Sequence, residues 1–259
     1  MAYFTVNALQ VNLESVLSMD NAGMVKMFKS LEESGMRGFL GVSGSVFEGA
    51  LIEFFANAKV IVGTIVSTAA NWKMVVTKDL FREKFQLPTE GMVSFSELPT
   101  KAVAEMKVLF SVTGVPLRPL NKKKDIKVEY QLLHDIVAKS LCAKAGSFDV
   151  VTSENFEMMV AINSGLKVNW GHILFQTLVA MVYIPGKQSQ GFVVPLSILL
   201  EKLVKEDLGD SLALHPLKVL NNKSVLTYMK KNQAAPQAGK TSKQLGDTAS
   251  ENKFTADGL

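Results

Sequence analysis

Hydrophobic residues recur at intervals of three and four through most of the chain and follow a strand-like pattern in only one region. Met24, Met27, Phe28 and Leu31 mark one helical face after Asp20, a capping residue type, and Gly35 is placed to stop that helix. Glycines then fall at 35, 38, 41 and 44, a density that predicts a loop rather than a helix. Ser45 and Glu48 have the capping-box spacing, and Phe47, Ala50, Leu51, Phe54 and Phe55 give the next apolar face. The β-branched run 59–67 predicts a strand, residues 68–71 a turn, and residues 72–76 a second, antiparallel strand. Thr77 reads as the N-cap of a short helix, with Val76 and Phe81 at the hydrophobic-staple positions and Pro88 as its stop.

The second half is helical by the same test. Val103, Met106 and Phe110 share a face within 100–110; Ile126, Tyr130, Leu133, Val137 and Leu141 line another, ended by Gly146. Thr152 caps a third, with Val151 and Phe156 as a staple and Gly165 as the stop. Asn169 opens the apolar stretch 170–184, which begins at Trp170 and predicts the central buried helix. Pro195 suits the first turn of a helix whose Leu196, Leu199, Leu200 and Leu203 face inward, and residues 223–231 add a last short one. From Asn232 to Leu259 large apolar residues are almost absent, so that segment is expected to be a disordered tail. The pattern therefore predicts an α+β, predominantly helical domain over 20–231, with a small antiparallel β-hairpin packed on it. For residues 1–19 the pattern assigns no element.

Composition changes this picture mainly by exclusion. A single cysteine, Cys142, rules out an intrachain disulfide and a thiolate-rich metal site. The residues before the first apolar run lack a basic leader, and the longest apolar run carries Gln176 and is too short for a bilayer. The expectation is an intracellular protein of nucleus or cytoplasm with no membrane partner. Lys+Arg number 28 against 24 Asp+Glu, and the whole excess of four lies in residues 118–127. There Arg118, Lys122, Lys123, Lys124 and Lys127 face only Asp125, making this stretch the candidate contact for nucleic-acid phosphates or an acidic partner.

Candidate chemistry is sparse. Gly44 and Gly49 have phosphate-loop spacing, but Ala50 and Leu51 stand where the cation and metal-binding hydroxyl belong. His134, His172 and His215 are scattered, with no His or Cys at metal-ligand spacing, so no metal or cofactor is expected. His134 and Asp135 are adjacent, which on a helix predicts a solvated face rather than a dyad. His172 falls in a first helical turn, and Cys142 lies just off an apolar stripe, as a semi-buried thiol. Trp72 and Trp170 begin predicted elements, which favours packing over base stacking. No catalytic set is legible; an enzyme would need a site assembled from separated residues such as His134, His172 and Cys142.

Residues 50–88 resemble the plant transposon-protein domain, through Glu53, Phe54, Phe55, Ala56 and Asn57, the strand pair that follows, and Leu87 and Pro88. Residues 148–182, with Thr152, Gly165 and the Val168-Asn169-Trp170-Gly171 entry to an apolar helix, resemble that family's second block, and residues 192–204 its closing helix. The resemblance spans about 47–210. It implies a mobile-element-derived structural or interaction protein, without a catalytic set, acting through self-association, another protein, or weak sequence-independent nucleic-acid contact. It does not imply transposase activity. The two predicted strands hold no acidic residue for a two-metal nuclease, and neither an Asp-Thr/Ser-Gly nor a Tyr-x-Asp-Asp string occurs.

Overall fold

The computed structural model describes residues 8–118, 122–142, 149–184 and 190–233. The chain runs β1 (Gln10–Val11), α1 (Leu13–Leu17), α2 (Ala22–Leu31), a π-type turn (Glu32–Met36) and α3 (Arg37–Leu40). Next come β2 (Ser45–Val46), α4 (Glu48–Asn57), β3 (Lys59–Ile61), β4 (Thr64–Ala69), β5 (Trp72–Val76) and α5 (Lys78–Lys84). The helical half holds α6 (Thr100–Phe110), α7 (Val128–Ile136) with a π-type turn to Leu141, α8 (Ser153–Asn163), α9 (Trp170–Tyr183) and α10 (Val193–Leu203). β6 (Leu212–Ala213), β7 (Val219–Leu220) and α11 (Asn222–Gln233) follow. This is the predominantly helical α+β arrangement that the periodicity predicts.

The run 59–67 is not one strand. It reverses at Val62 and Gly63, whose φ angles of 48° and 72° fit the tight turn of a two-residue hairpin, so the sheet is a three-stranded antiparallel meander, β3-β4-β5. The second reversal uses Ala70 and Asn71, also at positive φ, narrower than the expected four-residue turn. β1 pairs parallel with β7 and β2 antiparallel with β6. Residues 8–19 thus join the domain: Val11 and Val16 are buried, and Asn12 caps α1. At the other end α11 extends through Asn232 and Gln233, the first two residues of the expected tail, whose remainder lies outside the described residues, as does Gly146.

The glycine-rich segment is helical as far as Leu40, and only residues 41–44 form the expected loop. Gly35, at φ 88°, kinks the chain after α2, but residues 37–40 then form α3. The glycines here serve close approach. A Cβ on Gly38 would lie 2.0 Å from the Phe85 carbonyl oxygen, and one on Gly35 would lie 2.3 Å from Pro88 Cγ. That contact lets Phe39 enter the core, where its ring lies 6.1 Å from Phe81, 5.3 Å from Phe85 and 5.0 Å from Phe192. Phe81 in turn meets Phe85 at 5.1 Å and Phe175 at 5.8 Å, so one aromatic cluster joins α3, α5, α9 and the start of α10.

The capping box is also corrected. Ser45 belongs to β2, Glu48 begins α4, and the N-cap is Phe47, with no side-chain cap. Its backbone N–H donates instead to Ser197 Oγ of α10 at 3.2 Å, a tertiary partner doing what the local motif would do. α2 is capped by Asn21, one residue after Asp20. Thr77 and Thr152 do cap α5 and α8, accepting from Leu80 N (3.1 Å) and Asn155 N (3.4 Å), and Gly165 follows α8 at φ 67°.

Two stretches that look separate in sequence form one corner. α5 and the Pro88–Met92 segment dock on the entry to α9. Gly171 N donates to Pro88 O (3.0 Å), Asn169 Nδ2 to Thr89 O (2.6 Å), and Asn169 N to Met92 O (2.9 Å). Asn169 Oδ1 also accepts from His172 N, capping α9. At the far end of the sheet's strands, Glu53 accepts from Ala70 N at 2.7 Å and Asn57 donates to Thr68 O at 3.0 Å, tying α4 to the β4–β5 turn. Phe54 is buried between them, with its carbonyl bound by Ser67 Oγ, and Phe55 stacks edge-on at 5.3 Å. α9 buries Trp170, Leu174, Phe175, Leu178 and Met181 along one face, while Gln176 and Tyr183 face outward. It is a one-sided core helix rather than one buried all round.

Candidate functional site

The helix buried on every side is the last part of α7. His134 and Asp135, expected on a solvated face, are 0% and 6% exposed. The reason is packing on more than one side: α2, α8 and α11 all meet α7, so no face is left for water. Polar groups buried there need partners, and each finds a different one.

His134 Nε2 lies 3.2 Å from Asn155 Nδ2 of α8, and Cys142 Sγ donates to Asn155 Oδ1 at 3.2 Å. One amide therefore bridges two of the three residues from which an enzyme would have to be built. The hydrogen-bond directions decide what it can do. With Oδ1 taking the thiol hydrogen, Nδ2 donates, and His134 Nε2 accepts. An amide oxygen is not a base, so the Asn155 contact does not itself remove the thiol proton. His134 and Cys142 are 0% and 4% exposed, which keeps this set beneath the surface. His172 is not part of it: it is half-buried in the first turn of α9, and His215 is exposed. No cluster of three or more His, Cys, Asp or Glu able to hold a metal occurs among the described residues.

Asp135 organises the basic stretch. Its Oδ2 accepts from Lys123 Nζ at 2.6 Å and from Tyr228 Oη at 3.0 Å, and Lys123 Nζ lies 5.4 Å from the centre of the Tyr228 ring. Burial first, then the Asp135 charge and hydrogen bond, push the Tyr228 hydroxyl far above the ordinary tyrosine range. Lys123 is thus a structural cation with a side chain only 18% exposed, not a free member of the basic set. Its neighbours Lys122 and Lys124 are exposed on a 3₁₀ turn, which Asp125 closes by accepting from Lys122 N at 3.1 Å. Lys127 is half-buried as the N-cap of α7.

The same clamp brings in a helix that charge arithmetic overlooked. α11 carries Lys223, Lys230 and Lys231 and no acidic residue, and Tyr228 fixes it beside the basic turn. Lys231 lies one turn beyond Tyr228 on the same helical face and is exposed. A whole-chain balance of zero outside 118–127 hides this local surplus. The Tyr-x-x-Lys spacing marks one helical face, but nothing in sequence says which surface that face meets.

Arg118 points elsewhere. It lines a cavity of about 300 Å³ between the 3₁₀ turn Phe95–Glu97, α6 and the start of α8. The packing motifs also have their places: Trp170 is fully buried with its ring 6.0 Å from Phe95, and Trp72 is half-buried at the start of β5.

The fold and these features define a mainly helical α+β protein with a buried polar network and exposed lysines on the 122–125 turn and α11. In comparisons with known proteins, no family model, curated protein or solved structure matches the chain. Among the described residues, no helix is long and apolar enough to cross a membrane.

Proposed function

We propose that this is a non-catalytic interaction protein, derived from a plant mobile element, that holds nucleic-acid phosphates weakly and without sequence preference. The observation that carries the binding surface is the Lys123–Asp135–Tyr228 clamp, which fastens the basic turn to the lysine-bearing face of α11. Lys122, Lys124 and Lys231, with Lys127 half-exposed, are the phosphate contacts. Polyanion binding of this kind needs charge density more than shape, and no aromatic residue in 122–127 is available to stack a base. The non-catalytic reading is supported by the buried Cys142–Asn155–His134 set, whose amide bridge accepts a hydrogen bond but is not a base. The origin is supported by the resemblance described above; its two main blocks meet at the Pro88–Gly171 corner and so belong to one packing unit.

The test is salt-dependent binding of a duplex and a single strand. Four phosphate contacts give a log–log slope no steeper than about −4, and each lost lysine flattens it by about 1. The expected result is that Lys122→Gln, Lys124→Gln and Lys231→Gln each do so, while Lys123→Gln lowers stability and leaves the slope per folded molecule unchanged. No binding at low salt, or a slope indifferent to the first three changes, would overturn the proposal. Repeats flanking the gene, or a neighbouring polymerase frame, test the origin separately.

A further inference from the structure

The cavity beside α6 has the composition of a ligand site rather than of a packing defect. Phe95, Leu98, Val103, Leu117, Val151 and Phe156 form its apolar walls. Two of them are braced from behind: Phe156 stacks edge-on against Phe110 at 5.8 Å, and Phe95 backs onto Trp170 at 6.0 Å. The volume, about 300 Å³, is at the small end of the range that takes small organic molecules.

Three charged side chains line the same space: Lys107 from α6, Arg118 from the segment after it, and Glu157 from α8. None of the three forms an ion pair among the described residues. Elsewhere in this protein the buried cation has its partner, as Lys123 has Asp135. Lys107 is half-buried without one, and Arg118 presents a planar fork suited to an oxyanion. Glu157 does not cancel them, being one carboxyl against two cations; burial first, then the Glu154 charge, raises its pKa.

We infer that this cavity binds a small amphiphile with a single anionic headgroup, its apolar body between Phe95, Val103 and Phe156 and its headgroup on Lys107 and Arg118. Two cations against one carboxylate leave the site net positive, which selects an anion over a cation of the same shape. The apolar walls reject a small hydrophilic anion. Glu157 limits affinity, because an ionised carboxylate there repels the headgroup.

The experiment uses the full chain and three eight-carbon probes: octanesulfonate below its micelle-forming concentration, octan-1-ol and octylammonium. Trp72→Phe leaves Trp170, behind Phe95, as the fluorescent reporter, and calorimetry gives the stoichiometry. Octanesulfonate is expected to bind at one site, about tenfold more tightly than octanol, with no saturable binding of octylammonium. Lys107→Gln and Arg118→Gln should each weaken it several-fold, Glu157→Gln should tighten it, and Val103→Trp should abolish it by filling the space, all with unchanged thermal unfolding. Equal affinity for the alcohol and the sulfonate, binding indifferent to Lys107→Gln, or no binding by wild type would overturn the inference. Should Val103→Trp unfold the protein, Phe156→Ala replaces it, and unchanged sulfonate affinity in that variant would count against the site. Nucleic-acid binding is expected to survive Lys107→Gln, so the two proposals fail independently.

Discussion

Tyr228 donates its hydroxyl to the same Asp135 oxygen that takes Lys123, and this shared acceptor gives the clamp a pH signature. The tyrosine pKa is raised in the fold above its ordinary value of 10.0, so the folded state holds that proton more tightly than the unfolded chain does. The associated stability is fully present below about pH 10 and is lost as pH rises above it, with a slope of up to about 1.4 kcal/mol per pH unit for one proton. Tyr130, raised by burial and then by the Glu129 charge, adds a contribution of the same sign. Urea unfolding of wild type and Tyr228→Phe between pH 8 and 11 separates the two: the variant should be less stable at pH 8 and show the flatter alkaline decline. An identical decline in both would mean that Tyr228 ionises freely. Adjacent in sequence, His134 and Asp135 thus serve separate networks, one through Asn155 and one through Lys123 and Tyr228, and no rule about residue spacing distinguishes them.

At the scale of elements, the glycine-rich stretch shows how one composition supports opposite predictions. Gly38 exists to admit the Phe85 backbone, whereas nothing lies within 4 Å of a Cβ on Gly49. Gly38→Ala must push α3 away from α5, moving Phe39 in the aromatic cluster, at a cost of about 1–3 kcal/mol or more. Gly49→Ala, in the first turn of α4, should be neutral or stabilising by up to about 1 kcal/mol. Urea midpoints of the two variants check this; equal effects would mean the α3–α5 approach is not close. Local chemistry was legible wherever the partner lay within a few residues. Thr77, Thr152 and Asn169 cap the helices that their sequences announce. Ser45 and Glu48 have the same kind of pattern and fail, because Ser197, 150 residues away from Phe47, supplies the acceptor at α4.

For the whole molecule, one continuous core runs from Val11 near the start to Val225 and Met229 on α11. Leu178, fully buried on the inward face of α9, lies within it. Leu178→Asp buries an unpaired carboxylate, a penalty of several kcal/mol against a typical stability of about 5–15 kcal/mol. The variant is expected to be insoluble or to unfold far below wild type. Unchanged cooperative melting would mean that this face of α9 is an exposed interface rather than core.

By itself the sequence determined the class of fold, most helices, the caps at Thr77, Thr152 and Asn169, and the turn at Gly165. These depend on hydrogen bonds and packing faces between residues three or four apart, which a linear pattern records. Only the tertiary structure decided that Gly38 is a contact, that His134 and Asp135 are buried, that Lys123 is committed to Asp135, and that Tyr228 ties α11 to the same carboxylate. Each of those turns on a partner far away in the chain. Whether a charge is free or spent is a property of the pair and its burial, not of the residue.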